Sequence, residues 1–208
     1  LILPIILLGV VALISNILAI FSINNVNSNA KNIVENYMVG EEKLSEIRYL
    51  ILDIHKMALS HIVATDYDTM IKVVGDIKED EAQLDIIIAE YAEYVSEEDG
   101  DLYDQLLSNY DAFKHSLVFL LGASADSRTQ EAYAFANGDV AAYGTAAANN
   151  INQLNVSTKA QADKARQHLQ FVYITSILIG LLAMLLGIVL VWAAIKIILK
   201  YVITPIRG

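Results

Sequence analysis

Arg48 and His55 come closest, by type and spacing, to a binding chemistry in this chain. They lie seven residues apart, so on a helix they share one flank, separated by about 10 Å along the axis. A guanidinium can hold a carboxylate through two parallel N–H bonds, and an imidazole adds a donor that depends on pH. Asn150, flanking Ala147 and Leu154 on a later helix, offers an amide for a further contact. The plainer arrangement pairs Arg48 with a neighbour such as Glu41 or Asp53. Such surface ion pairs are the commoner case and contribute little. His61 falls on an apolar stripe near a helix end, where a hydrogen-bonded packing role is expected.

Nothing comparable points to catalysis. Glu41-Glu42, Glu79-Asp80-Glu81 and Glu97-Glu98-Asp99 are paired carboxylates, but charged runs of this kind read as solvated faces and helix ends. His55 and His61 are six residues apart, about 240° around a helix, and His115 and His168 stand alone. The chain has no cysteine, which removes disulfides, thiol nucleophiles and thiolate metal sites together. We therefore expect no catalytic residue, no metal and no cofactor. The chain reads as a non-enzyme.

The elements that would position Arg48, His55 and Asn150 are helical and bracketed by apolar runs. Leu1 to Ile23 and Phe171 to Ile195 are free of charge, and each meets the roughly 20 residues that a helix needs to cross hydrocarbon. The two prolines, Pro4 and Pro205, lie near the ends, so none interrupts a helix in between. All 24 acidic residues fall between Glu35 and Asp163. With 11 of the 14 Lys and Arg between the two apolar runs, the net charge of that whole segment is about −13, against about +3 after the second run, at Lys196, Lys200 and Arg207. Positive charge marks the cytoplasmic side of a span, which puts the tail inside and the acidic region outside. That acidity argues against nucleic acid, whose phosphates need clustered cations. A cleaved signal peptide is the alternative for the first run, but no small-x-small site precedes Ser22.

From Ile5, steps of four and three run through Gly9, Ala12, Asn16, Ala19, Ile23, Val26, Ala30, Ile33, Tyr37, Gly40, Leu44, Ile47, Ile51, Ile54, Ala58 and His61. A repeat of about 3.5 residues predicts one long helix with a continuous seam, small within the membrane and aliphatic outside. Asn16 would seek a partner across a helix interface. Asp66 is an expected N-cap for a second helix with Ile71, Val74, Ile77, Leu84, Ile88, Tyr91 and Val95. Ser96-Glu97-Glu98-Asp99 reads as a capping box for a third helix carrying Tyr103, Leu106, Tyr110, Phe113, Leu117 and Leu120. Its register blurs over residues 122–129, where a kink is expected. Asn137-Gly138-Asp139 predicts the next turn, with Gly138 as a left-handed cap and Asp139 opening the fourth helix. Ala147, Ile151, Leu154, Thr158, Ala165 and Val172 form one face of that helix, which leads into the second run. The adjacent Asn149, Asn150, Asn152, Gln153 and Asn155 are poor helix formers, and Tyr173, Trp192 and Tyr201 are placed as interfacial anchors.

The expected fold class is all-α: an extracytoplasmic antiparallel four-helix bundle at 24–172, flanked by transmembrane helices at 1–23 and 173–199, with a junction at 200–208. This pattern resembles the four-helix-bundle sensor region of methyl-accepting chemotaxis receptors. Lys200, Val202, Pro205 and Ile206 match the basic, aliphatic, proline, aliphatic opening of a HAMP linker. The resemblance implies a homodimeric sensor in the inner membrane that passes a helix displacement through the second span to downstream signalling proteins. It also implies a stimulus, either a small molecule held between the first helices of two subunits with help from a fourth, or a docked binding protein. On that pattern Arg48, His55 and Asn150 would be the ligand-contacting set. The aspartate-sensing arginine and threonine arrangement is not recognised. The same input module occurs in sensor histidine kinases and diguanylate cyclases. A passive membrane-anchored coiled coil is a further alternative.

Overall fold

A computed structural model describes the backbone of residues 2–200, and every regular element in that range is helical. Helix α1 spans Ile2–Asn32, a π-helical segment Ile33–Met38 follows, and α2 spans Val39–Val63. Helices α3 (Tyr67–Tyr91), α4 (Gly100–Ala125), α5 (Thr129–Phe135) and α6 (Ala141–Ile198) complete the chain, with a second π-helical segment at Ala136–Val140. Contacts divide these residues into two compact units, one formed by 34–162 and the other by the residues before and after it.

The unit of 34–162 is a four-helix bundle made of α2, α3, α4 and a fourth rod of α5, its π segment and the first part of α6. Cross-helix contacts set an antiparallel order. Lys43 near the start of α2 pairs with Glu90 at the end of α3, and Lys114 of α4 reaches back to Asp85 of α3 at 3.0 Å. Lys159 of α6 meets Glu41 of α2 at 3.0 Å. The core is where the apolar spacing put it. Leu44, Ile47, Ile54, Leu84, Leu106, Phe113, Leu120 and Leu154 are fully sealed, each contributing roughly 1.5–3 kcal/mol by leaving water. Gly144 lets α6 approach α4, since a Cβ there would lie 3.3 Å from the Phe113 ring. Ile71 departs from the expected core and is exposed on α3.

Asp66 caps α3 as expected, its carboxylate accepting from the Thr69 backbone N–H at 2.8 Å and the Thr69 hydroxyl at 2.7 Å. The turn between the third and fourth rods is not at Asn137-Gly138-Asp139. The chain reverses at Asp126–Arg128, where Ser127 takes φ of 60°. Arg128 N–H donates to Ala123 O at 2.8 Å and Ser127 N–H to Ser124 O at 3.0 Å, the paired bonds of a Schellman cap. A serine fills the left-handed position that glycine usually takes, which is why Gly138 looked the better candidate. Gly138 instead lies inside the π-helical segment at φ −94°, ψ −106°. The capping box also needs correction: the Ser96 side chain makes no bond to the backbone of the helical turn that follows. Its hydroxyl donates to the Asp99 carboxylate at 2.7 Å.

The helical backbone of residues 2–63 is unbroken, as the repeat predicted, but its phase is not constant. The π turn at Ile33–Met38 takes up extra residue length that an α-helix would not. In the bundle the seam residues Leu44, Ile47, Ile51, Ile54 and Ala58 face the protein's own core. The aliphatic part of the repeat therefore marks the side of α2 that is buried within the bundle. Exposed residues Ser45, Tyr49, Leu52, Lys56, Leu59 and Val63 make a second stripe of threes and fours along α2.

In the other unit, the first part of α1, up to Ile23, and the later part of α6 are largely apolar all round. Leu13, Phe21, Leu182 and Met184 are exposed on flanks that meet no protein. Both helices are long and apolar enough to cross a membrane. The Ser22 hydroxyl bonds to the Ser176 hydroxyl, and Ser176 donates to Val172 O at 2.7 Å, so hydroxyls join the two helices while staying satisfied. Asn16 is exposed there.

Candidate functional site

Arg48 is exposed on α2, and its Nη1 donates to Asn152 Oδ1 of α6 at 2.9 Å. Its partner is thus neither Glu41 nor Asp53, and a member of the asparagine run supplies it. Glu41 is engaged by Lys159, two turns along α6 from Asn152. Between these contacts on the same stripe, Asn155 Oδ1 is buried without a donor. The α2–α6 face therefore presents a guanidinium, an ammonium and the Asn152 amide, with the Asn155 Oδ1 acceptor buried beside them.

His55 is half-buried on α2 beside the π turn of the fourth rod. Burial holds its imidazole below the ordinary value, and a bond to the Ala136 backbone partly offsets this.

Asn150 is not part of this face. It is 4 % exposed and packed toward α4, where Oδ1 accepts from Asn109 at 2.8 Å and Nδ2 donates to Gln105 at 3.3 Å. A two-residue step on a helix is about 200°, so Asn150 and Asn152 serve opposite neighbours. Arg48 and His55 share α2, but the fold brings Asn152 rather than Asn150 to Arg48. Of the junction residues, Lys200 is exposed, and Val202, Pro205 and Ile206 lie outside the described residues.

Two polar groups fulfil structural roles. His61 is 2 % exposed, with Nδ1 2.8 Å from the Ser124 hydroxyl, which itself donates to His61 O at 3.2 Å. The hydroxyl has one proton, so Nδ1–H must be the donor in the shorter contact. Asp99, 6 % exposed, is the residue whose role the sequence did not reveal. Its Oδ2 accepts from Ser96 at 2.7 Å, Ser157 at 3.0 Å and Gln161 at 2.9 Å, tying the α3–α4 turn to α6. Nearby, burial pushes the Tyr91 phenol up to about 12, a rise that its bond with Thr158 reduces. Among the described residues no group of His, Cys, Asp and Glu could hold a metal.

An all-α bundle with polar inter-helix faces and two membrane-length helices defines a receptor-type sensory module. The family model for the four helix bundle sensory module for signal transduction matches residues 1–173, and the chain belongs to that family. No curated protein matches the chain.

Proposed function

We propose that this chain is the sensory and transmembrane part of a homodimeric chemoreceptor of the inner membrane. The observation that carries the reading is α6, a single helix over Ala141–Ile198 that contributes Ala147, Ile151 and Leu154 to the bundle core and then becomes a membrane-length apolar segment. A stimulus outside the cytoplasm favours one packing of the bundle, and the difference in its affinity for two packings sets how far α6 moves. The junction around Lys200, Val202, Pro205 and Ile206 passes that movement to a HAMP domain.

The stimulus surface is the α2–α6 face, where the exposed Arg48 guanidinium is held by the Asn152 amide oxygen. The dimer forms on the outer stripe of α2 through Tyr49, Leu52, Leu59 and Val63. The description of the family leaves the output domain open, so the input half of a histidine kinase or diguanylate cyclase is the rival. The sequence following Gly208 separates the two.

A test without ligand uses Trp192, an interfacial anchor whose ring lies 4.0 Å from Lys196 Nζ. Moving the tryptophan one position along α6, in a chain fused to an output domain with measurable phosphotransfer, should shift basal output in opposite directions for opposite moves. Output indifferent to both moves contradicts transmission through α6.

A further inference from the structure

The groove between α1 and the membrane-length part of α6 carries an inference that rests on the membrane reading of these two helices. It encloses about 550 Å³ between Leu18, Ala19, Val26 and Ala30 of α1 and Ile177 and Gly180 of α6. The hydroxyls of Ser22 and Ser176 also line it, but they bond to each other, and Ser176 to Val172 O, so neither demands a polar guest. A Cβ added at Gly180 would meet no atom within 4 Å, so the wall is open there. From Ala30 to Ser15 the groove follows α1 for about 22 Å, more than the roughly 15 Å of hydrocarbon in one leaflet.

The Ser22–Ser176 contact sets the register of this antiparallel pair. Lys31 lies nine residues along α1 from Ser22, and Arg166 ten residues along α6 from Ser176. Both cations therefore stand about 14–15 Å from that contact, at one level. The level is about 7 Å beyond Phe171, where the apolar run begins, and so falls within the headgroup layer. Arg166 precedes Tyr173 by seven residues and Ile177 by eleven, which puts it on the face of α6 that lines the groove. Lys31 is one turn beyond Asn27, which lines the groove on α1. Lys164 falls on the opposite side of α6.

Charge selects the occupant. The unit that contains the groove has six Lys and Arg against one acid, Asp163, whereas residues 34–162 have eight against 23. Asp163 lies 3.7 Å from Arg166 Nη1, an exposed pair that contributes little and leaves the guanidinium open to another anion. A second copy of α1 or α6 seated here would bring another Lys31 or Arg166 to the same mouth, like charge on like. A lipid with a phosphate and no compensating cation brings the opposite charge to the mouth and a chain to the apolar walls.

We propose that the α1–α6 groove holds an anionic phospholipid of the leaflet facing the bundle. Its phosphate lies between Lys31 and Arg166, and one acyl chain runs along Ala19, Ile177 and Gly180.

The experiment is native mass spectrometry of residues 1–208 in detergent, titrated with phosphatidylglycerol and, in parallel, with phosphatidylcholine of the same chains. One phosphatidylglycerol per chain should be retained, at least about fivefold in preference to phosphatidylcholine. Lys31→Gln and Arg166→Gln should each weaken its binding roughly fivefold. Lys164→Gln makes the same change of charge on the far side of α6 and should alter binding less than about twofold. Gly180→Phe should weaken binding of both lipids by filling the space for the chain. Circular dichroism verifies the fold of each variant. Equal retention of the two lipids, equal weakening by Lys164→Gln and Arg166→Gln, or unaltered binding in Gly180→Phe overturns the proposal. Displacement of the lipid by about 10 mM inorganic phosphate, or a two-chain species that excludes lipid, overturns it as well. Binding is read without topology or signalling output, so its failure removes this lipid site and leaves the membrane reading and transmission through α6 to their own tests.

Discussion

Gln161 Nε2 lies 2.9 Å from Asp99 Oδ2, so a buried carboxylate at the start of α4 is held by an amide on α6. Ser157, one turn earlier on α6, reaches the same oxygen at 3.0 Å. No cation is involved. The carboxylate leaves its own helix uncapped and spends its bonds on the neighbouring helix. Asp99→Ala should therefore cost more than a lost cap. It strands the hydroxyl donors of Ser96 and Ser157, while Gln161 keeps the two serine oxygens as acceptors, a loss of about 1–3 kcal/mol. Asp99→Asn keeps an acceptor oxygen and should retain part of that. Urea unfolding of the two variants measures the difference, and equal stability of Asp99→Ala and the parent would refute the role.

The reversal at Ser127 predicts a gain. A residue with a Cβ at φ of 60° carries a penalty of about 1 kcal/mol that glycine does not. Ser127→Gly should raise the melting temperature. Gly138→Ala has open space at its Cβ and a negative φ, so it should not destabilise by a clash. A lower melting temperature in Ser127→Gly would mean that the Schellman cap is misassigned.

Gly144 predicts a loss that a second change repairs. Gly144→Val places branched carbon where a Cβ alone would lie 3.3 Å from Phe113 Cε2, and overpacking of this kind costs about 1–3 kcal/mol. Phe113→Leu in the same chain should restore part of the stability. Additive losses in the double variant, measured by urea unfolding, would show that the two residues do not meet.

Burial holds both His55 and His61 below their ordinary value of 6.5. Each therefore binds its proton more readily in the unfolded chain. Their effect on stability is absent well above pH 6.5 and grows as a destabilisation when pH falls through the unfolded value, by up to about 1 kcal/mol per pH unit for each. Melting curves of His61→Gln across this range should show a shallower fall than those of the parent. An unchanged slope would assign the pH dependence elsewhere.

The helices and the core were legible because apolar spacing of three and four reports directly on burial. Leu106, Tyr110, Phe113, Leu117 and Leu120 all lie where that spacing put them. Turn positions were less legible. Glycine at 138 has the better left-handed preference, but tertiary contacts let Ser127 adopt that conformation instead. The α2 seam is buried in the bundle, but periodicity alone does not say which helices cover it. Asn150 and Asn152 differ by two positions and serve different helices, a distinction that depends on inter-helix register and is invisible in the asparagine run. Asp99 was hidden because a carboxylate after Ser96 matches a cap signature better than a contact with residues almost sixty positions away.

The central claim is that the bundle stands outside the cytoplasm between two spans. Single cysteines at Ser127 and at Lys196, reacted with a membrane-impermeant maleimide, test it most directly because the parent chain has none. The account predicts labelling of Ser127→Cys in intact spheroplasts and of Lys196→Cys only after lysis. Protection of Ser127→Cys until lysis, or labelling of both positions in intact cells, would contradict it.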